Sequence, residues 1–169
     1  STRVETTPHY SPDGRLIAFQ SGRSGSTEVW MADAQGADPV RLTHFNGPMS
    51  GAPRWCGDNK RVVLDSRAAG QAGLYVVDVE ERQPRRIGGE VQLSLPEWSS
   101  DCTKIIASDG RSRLFILPAT GGSSEPFTGQ PSYYAQVTGD RVIFNVKQVD
   151  RVALWQKPVA GGEEGALPG

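Results

Sequence analysis

Short apolar runs alternate with polar, glycine-rich turns along the whole 169-residue chain, and this pattern occurs four times. The clearest unit begins with the turn Ser11-Pro12-Asp13-Gly14. In such a turn proline presets φ, aspartate bonds its own backbone and glycine accepts a positive φ. The apolar run Leu16-Ile17-Ala18-Phe19 follows at once and predicts a strand.

The same unit recurs three times with altered turns. Asp58 and Asp101 take the place of Asp13 in units two and three, and Thr138 takes it in unit four. In every unit the second strand ends six residues after this position. The aspartates are 45 and then 43 residues apart, and such a period with several short strands is the signature of propeller blades.

Two aromatic positions recur in these units. The third strands carry Trp30, Tyr75, Phe115 and Trp155, each 12 residues before the last apolar anchor of its unit. The inner strands carry Tyr10, Trp55, Trp98 and, in unit four, Ala135. Because blades bury both faces of their sheets against neighbours, the rings are predicted to pack between blades rather than to bind a ligand.

The sequence therefore predicts an all-β fold of about four four-stranded antiparallel blades, forming part of a larger β-propeller. Residues 1–169 are expected to be one such segment, with blades at 8–43, 53–88, 96–128 and 133–167. Residues 1–7 are predicted as a connector or as the outer strand of a preceding blade.

An open arc of blades would leave apolar residues uncovered on its end faces. We expect Ile17 and Val29 to be exposed on blade one, or Ile143 and Leu154 on blade four. Large apolar patches tend to find partners. The sequence therefore predicts a homo-oligomer in which blade four of one copy meets blade one of the next.

Composition narrows the function classes. The 18 basic and 19 acidic side chains give a net charge of −1, which argues against a broad nucleic-acid surface. No apolar run reaches the length of a membrane span. Cys56 and Cys102 occupy different places in their units, so they are predicted to be free thiols that reveal no compartment.

No motif for a catalytic or metal centre stands out. The two histidines, His9 and His44, form no His-x-x-x-His pair, and there is no Cys-x-x-Cys pair, nucleophile elbow or P-loop. The aspartates of the turns are predicted to cap their own backbone. The sequence therefore predicts no catalytic residue, no cofactor and no metal ligand, and hence no enzyme.

Several motifs resemble the repeat of TolB-type β-propeller proteins: Tyr-Ser-Pro-Asp-Gly-Arg at residues 10–15, Glu-Val-Trp at 28–30 and Arg-Leu-Thr at 41–43. The resemblance implies a platform that binds a protein or peptide partner. It also implies a periplasmic location on the pattern of TolB, with a cytoplasmic one left open. The run from Leu154 to Glu164 also looks like later repeats of large bacterial regulators, whose propellers follow a winged-helix or serine/threonine kinase domain.

Two functions remain open at this point. The first is a non-enzymatic propeller module that binds a protein, a peptide or a sensed ligand through its blade-connecting loops. The second is a propeller-type lyase or hydrolase with a site at the mouth of the channel. The scattered histidines and the missing nucleophile motif favour the first. A third possibility is that the chain is only a structural segment of a longer propeller.

Overall fold

The chain folds into four antiparallel sheets that follow one another in sequence, as a computed structural model of residues 4–168 shows. The strands are β1 (Glu5–Tyr10), β2 (Leu16–Ser21), β3 (Glu28–Asp33), β4 (Val40–Arg41), β5 (Ser50–Trp55), β6 (Arg61–Ser66), β7 (Gly73–Asp78), β8 (Arg85–Ile87), β9 (Ser94–Trp98), β10 (Lys104–Ser108), β11 (Leu114–Pro118), β12 (Glu125–Pro126), β13 (Ser132–Thr138), β14 (Arg141–Lys147), β15 (Val152–Pro158) and β16 (Gly165–Ala166). Each consecutive group of four forms one sheet, and we call these sheets blades one to four.

This architecture confirms the prediction of an all-β propeller with four four-stranded blades. The connector predicted for residues 1–7 is wrong for Glu5 to Thr7, because these residues begin β1, the inner strand of blade one. Ser1 to Arg3 lie outside the described residues. In the part of the chain that is described, no helix has the length and apolar character that a membrane crossing needs.

The turn after the inner strand keeps one geometry in blades one to three. In blade one the N–H of Gly14 donates to the carbonyl of Ser11 at 2.8 Å, and Gly14 has a φ of 71°. Asn59 and Cys102 occupy the same position in the next two blades, with φ values of 60° and 58°. The left-handed backbone is therefore repeated even where glycine is not.

Blade four departs from this pattern because its first hairpin is shorter. Thr138 pairs with Arg141, so only Gly139 and Asp140 form the turn. Gly139 has a φ of 58°, as the first residue of a two-residue hairpin turn often has. The assignment of Thr138 to the aspartate position of the turn is therefore wrong.

The shorter hairpin also changes which residue holds the inner aromatic position of blade four. In blade two Trp55 pairs with Val62, the second residue of its strand. The equivalent pair in blade four joins Val137 to Val142. The assignment of Ala135 to this position is wrong, and Val137 holds it.

Three apolar layers join successive blades. The layer between blades one and two contains Ala18, Val29, Leu42, Trp55, Val62, Leu64, Tyr75 and Val77. The layer between blades two and three contains Val63, Leu74, Val76, Ile87, Trp98, Ile105, Ala107, Phe115 and Leu117. The layer between blades three and four contains Ile106, Leu114, Phe127, Val142, Phe144 and Val146, with Trp155 and Val137 at its margin. Apolar side chains on both faces of the middle sheets explain why their strands are apolar throughout.

The two end faces match the prediction only in part. Val29 is fully buried, because it points towards blade two and not towards the face of blade one that no described sheet covers. Leu154 of blade four is 51% exposed, as predicted, while Ile17 and Ile143 are half-buried. Self-association through these end faces stays a prediction.

Candidate functional site

The inner strands β1, β5, β9 and β13 lie side by side, so the sheets spread outward from a common inner wall. Side chains of this wall line a cleft of about 960 Å³. Four of them stand directly before the inner aromatic position of their blades: His9, Arg54, Glu97 and Gln136. We call these four residues the channel row.

The channel row carries a different side chain in every blade, unlike the positions around it. The next residue is aromatic in three of the four blades, and in blades two and three it fills the space between two sheets. A residue that faces an open cleft has no such packing constraint. Its chemistry can therefore differ from blade to blade.

A backbone irregularity directs the row into the cleft. In blades one to three the residue two places before the channel-row residue has a left-handed backbone. The φ values are 49° at Thr7, 47° at Ala52 and 52° at Leu95. The strand pairing shifts register around each of these residues. Such bulges bend a strand and change the direction of its side chains.

Arg54 and Glu97 form the charged centre of the row. The Nε of Arg54 donates to a carboxylate oxygen of Glu97 at 2.7 Å, and its Nη1 donates to the carbonyl of Pro53 at 3.0 Å. The two side chains are 29% and 22% exposed. Burial raises the pKa of Glu97, and the hydrogen bond and charge of Arg54 oppose that rise. The pair is therefore partly desolvated but still open to the cleft.

His9 lies at one end of the row, beside Arg54, and accepts a hydrogen bond. Burial lowers the pKa of His9, and the nearby charge of Arg54 lowers it further. The Nδ1 of His9 accepts a hydrogen bond from the backbone N–H of Trp55 at 3.3 Å. His44, in contrast, is exposed in the segment that crosses from blade one to blade two, so the two histidines form no common site.

Two indole rings hold the row in place. The Nε1–H of Trp55 donates to the carbonyl of His9 at 3.0 Å, and that of Trp98 donates to the carbonyl of Arg54 at 2.9 Å. Each ring therefore ties its own inner strand to the strand of the preceding blade. The relative positions of His9, Arg54 and Glu97 are fixed from behind by these two contacts.

The predicted turn aspartates Asp13, Asp58 and Asp101 lie in the turns and bind their own backbone. The hydroxyl of Ser99 donates to Asp101 at 2.6 Å, and this bond, with the N–H of Thr103, lowers the pKa of Asp101 to about 2. A bond from Ser11 likewise lowers the pKa of Asp13. Asp58 binds the N–H groups of Lys60 and Arg61. These contacts match the turn-capping role that the sequence indicates.

The third-strand aromatics of blades two to four face the preceding blade. Tyr75 and Phe115 are buried in the layers before blades two and three. Trp155 is half-buried in the layer before blade four. Trp30 occupies the equivalent place on the face of blade one that no described sheet covers, where the guanidinium of Arg23 lies 4.9 Å from its ring centre. None of these rings lines the cleft of the channel row.

A disulfide joins the turns of blades two and three. Cys56 and Cys102 are bonded to each other, with their Cα atoms 5.7 Å apart. The prediction of two free thiols is therefore wrong. The two residues are 46 positions apart, close to one repeat period, so turns of adjacent blades bring them together. Asp58 lies beside the sulfurs, but bonded sulfurs offer no thiolate to a metal ion.

The channel row was not predicted from the sequence as a group. His9 was the one member considered as a candidate ligand, because the row matches no known motif and no recurring residue class. The sequence does contain a signal for the row, namely a position whose residue type changes from blade to blade. This position lies between a repeated proline and a repeated aromatic residue, as in Pro8-His9-Tyr10 and Pro53-Arg54-Trp55.

The repeat pattern matches a known domain over nearly its whole length. The family described as "TolB beta propeller domain" matches residues 1–167. The chain belongs to this TolB β-propeller family. Among solved structures, TolB from Acinetobacter baumannii is similar with a TM-score of 0.73 at 20% identity, over 92% of this chain and 41% of that one. Puromycin hydrolase is similar with a TM-score of 0.75 at 19% identity, over 96% of this chain and 28% of that one.

A relative of this TolB-type domain bears on the prediction that the chain is not an enzyme. Tricorn protease homolog 1 of Streptomyces coelicolor is 36% identical over 169 residues. The match covers 95% of this chain but only 15% of that relative. The prediction that the chain is not an enzyme is therefore wrong as drawn from the sequence, because a relative that matches nearly all of the chain is named a protease homolog.

Proposed function

We propose that this TolB-type propeller domain holds an extended peptide or protein segment against its channel row, as one part of a larger peptidase-related protein. The observation that carries the proposal is the partly buried ion pair of Arg54 and Glu97, which lines a cleft of about 960 Å³. The match to the protease homolog supports the peptidase context.

The ion pair suits a peptide main chain because it offers both kinds of hydrogen-bonding group. A guanidinium carries five N–H donors, and a carboxylate has two acceptor oxygens. Within the described residues, Arg54 uses Nε and Nη1, and Glu97 uses Oε1. The remaining donors and acceptor match the C=O and N–H groups of an extended chain. Partial burial strengthens such bonds, since water competes less for the same groups.

A second candidate is a TolB-like platform for a partner protein in an exported protein. The disulfide between Cys56 and Cys102 favours export, because disulfides form and persist in oxidising compartments. In this candidate the channel row would still bind a peptide or protein segment. The two candidates differ in the other domains that the whole protein would contain. The likeness to propellers of winged-helix regulators and kinases stays a prediction.

We expect a peptide-binding measurement to test the proposed function directly. The chain would be mixed with a tryptic digest of casein, and retained peptides would be detected by native mass spectrometry. Arg54→Ala is expected to weaken retention roughly 10–100-fold, because bonds to charged groups contribute about 1.5–3 kcal/mol each. Arg111→Ala, at an exposed hairpin away from the cleft, is the matched control and should bind like the unmodified chain.

Two results would contradict the proposal. The unmodified chain could retain no peptide at any concentration tested, or Arg54→Ala could retain peptides as well as Arg111→Ala does. Thermal unfolding of both variants would show that a loss of binding is not a loss of folding.

The disulfide has a test of its own. Thiol titration of the unfolded, unreduced chain, prepared in an oxidising compartment, is expected to find no reactive thiol. Reduction should lower the free energy of unfolding by about 2–4 kcal/mol, because the bond closes a loop of about one blade. The Cys56→Ser/Cys102→Ser variant should match the reduced chain and should not respond to reductant. Two titratable thiols in the oxidised preparation would exclude the bond and remove the argument for export.

A further inference from the structure

The two indole contacts behind the channel row belong to a series that stops before blade four. Trp55 donates to the carbonyl of His9 in the preceding blade, and Trp98 donates to the carbonyl of Arg54. The next carbonyl in this series is that of Glu97. The residue that would supply its donor is Val137, which pairs with Val142 as Trp55 pairs with Val62.

Val137 cannot do what the tryptophans do. Its side chain has no N–H group, and it is far smaller than an indole ring. It is also half-exposed, whereas Trp55 and Trp98 are 4% and 5% exposed. Val137 lines the cleft together with Glu97, Trp98 and Gln136. We call these four residues the notch.

The tyrosines next to the notch do not fill it. The hydroxyl of Tyr133 contacts the hydroxyl of Ser112 at 2.6 Å, and Ser112 lies in the middle hairpin of blade three. Tyr134 is 67% exposed. At the layer between blades three and four, the place that an indole fills in the two preceding layers is therefore held by Val137, which borders the cleft.

We propose that the notch binds an aromatic side chain of a peptide, with an N–H or O–H donor directed at the carbonyl of Glu97. This specificity rests on the proposed function, since the peptide is the one held by the channel row. The ring would take the place that Trp55 and Trp98 take in their layers. The carboxylate of Glu97 adds a second acceptor at the rim, so tryptophan is favoured over phenylalanine, which has no donor.

Short blocked peptides test this preference. Binding of acetyl-Gly-Gly-Trp-Gly-Gly-amide would be compared with that of the same peptide carrying Phe or Ala at the centre, by titration calorimetry on the full chain. The Trp peptide is expected to bind roughly 10–100-fold more tightly than the Ala peptide, as burial of a large apolar side chain provides. The Phe peptide should lie between them.

Substitutions at Val137 locate the preference. Val137→Trp should fill the notch from within, raise the thermal unfolding temperature and remove the difference between the Trp and Ala peptides. Val137→Phe places a smaller ring without a donor in the notch, so it should reduce the preference with a smaller gain in stability. Val149→Trp, at a fully exposed position of another hairpin, is the matched control and should leave the preference intact.

The outcomes separate the notch from the channel row. Equal binding of the Trp and Ala peptides would overturn the notch and leave peptide binding by the row in place. A Trp preference that survives in both Val137→Trp and Val137→Phe would also overturn it. If no peptide binds, N-acetyltryptophanamide can be used as a probe of the notch alone. If this compound at millimolar concentration shifts no NMR signal of the notch residues, the proposal of an aromatic-binding notch is rejected as well.

Discussion

Replacing Trp55 by alanine is expected to lower the free energy of unfolding by about 3–5 kcal/mol, the usual cost of removing a buried large aromatic ring. Trp55 is 4% exposed and packs between the sheets of blades one and two. Its indole N–H also satisfies the carbonyl of His9 at 3.0 Å. Truncation would leave a cavity in the layer and remove this hydrogen bond. Urea unfolding monitored by circular dichroism measures the change.

Tyr10 provides a matched control within the same repeat. It holds the inner aromatic position of blade one, but it is 55% exposed because no described sheet covers that face. Tyr10→Ala should therefore change the free energy of unfolding by about 0.5 kcal/mol or less. A small effect of Trp55→Ala, or equal effects of the two variants, would show that the layer between blades one and two is not packed as described.

The contrast between Trp55 and Tyr10 shows how far a repeat pattern can predict structure. The spacing of apolar and aromatic residues correctly predicted four sheets, because each blade needs the same side-chain classes at the same places to bury its faces. It also predicted buried rings at Tyr75 and Phe115. Spacing alone cannot tell which of several equivalent positions has a neighbour, so Tyr10 and Trp55 look alike in sequence.

Blade four shows a second limit of the pattern. The spacing rule counted from Thr138 and placed Ala135 at the aromatic position, yet the two-residue hairpin at Gly139 and Asp140 puts Val137 there. Neither Ala135 nor Val137 is aromatic, so composition could not choose between them. Strand register is set by hydrogen bonding around the turn, and the turn of blade four has its own geometry.

The disulfide and the channel row were missed because both depend on adjacency between blades. Cys56 and Cys102 occupy different positions of their repeats, and only the side-by-side turns bring their Cα atoms to 5.7 Å. Arg54 and Glu97 are 43 residues apart, yet the inner strands place them in direct contact. Two residues that are about one repeat period apart in sequence are potential neighbours in adjacent blades. This rule would have identified both the cysteine pair and the ion pair.

Glu28 is the most completely buried charged side chain of the described structure, with no exposed side-chain surface. One of its carboxylate oxygens accepts bonds from Arg41 at 3.0 Å, from the backbone N–H of Asn46 at 2.7 Å and from Ser26 at 3.1 Å. The other accepts a short bond from the hydroxyl of Thr43. The residue thus joins β3 to β4 and to the segment that crosses to blade two.

Replacing Glu28 by alanine is expected to lower the free energy of unfolding by about 3–5 kcal/mol at pH 7, because Arg41 loses its buried partner and several donors lose their acceptor. Glu28→Gln should cost less, since the amide keeps one acceptor oxygen. Guanidinium chloride unfolding of the three proteins would give the values. Equal stability of the alanine variant and the parent chain would contradict the contacts described for this carboxylate.

The cost of Glu28→Gln is expected to depend on pH. Burial alone would raise the pKa of Glu28, but bonds from Thr43, from the backbone of Asn46 and Phe45 and from Ser26 outweigh it and lower the pKa below its ordinary value of 4.5. A lowered folded-state pKa adds stability that is complete well above pH 4.5 and is lost as the pH falls through the folded-state value. The stability difference between the parent chain and Glu28→Gln should therefore be largest at neutral pH and narrow below pH 4.5.

Glu125→Gln, at an exposed position of β12, should show little difference at any pH. A gap for Glu28→Gln that stays constant or widens on acidification would show that the carboxylate is not stabilised in its charged form.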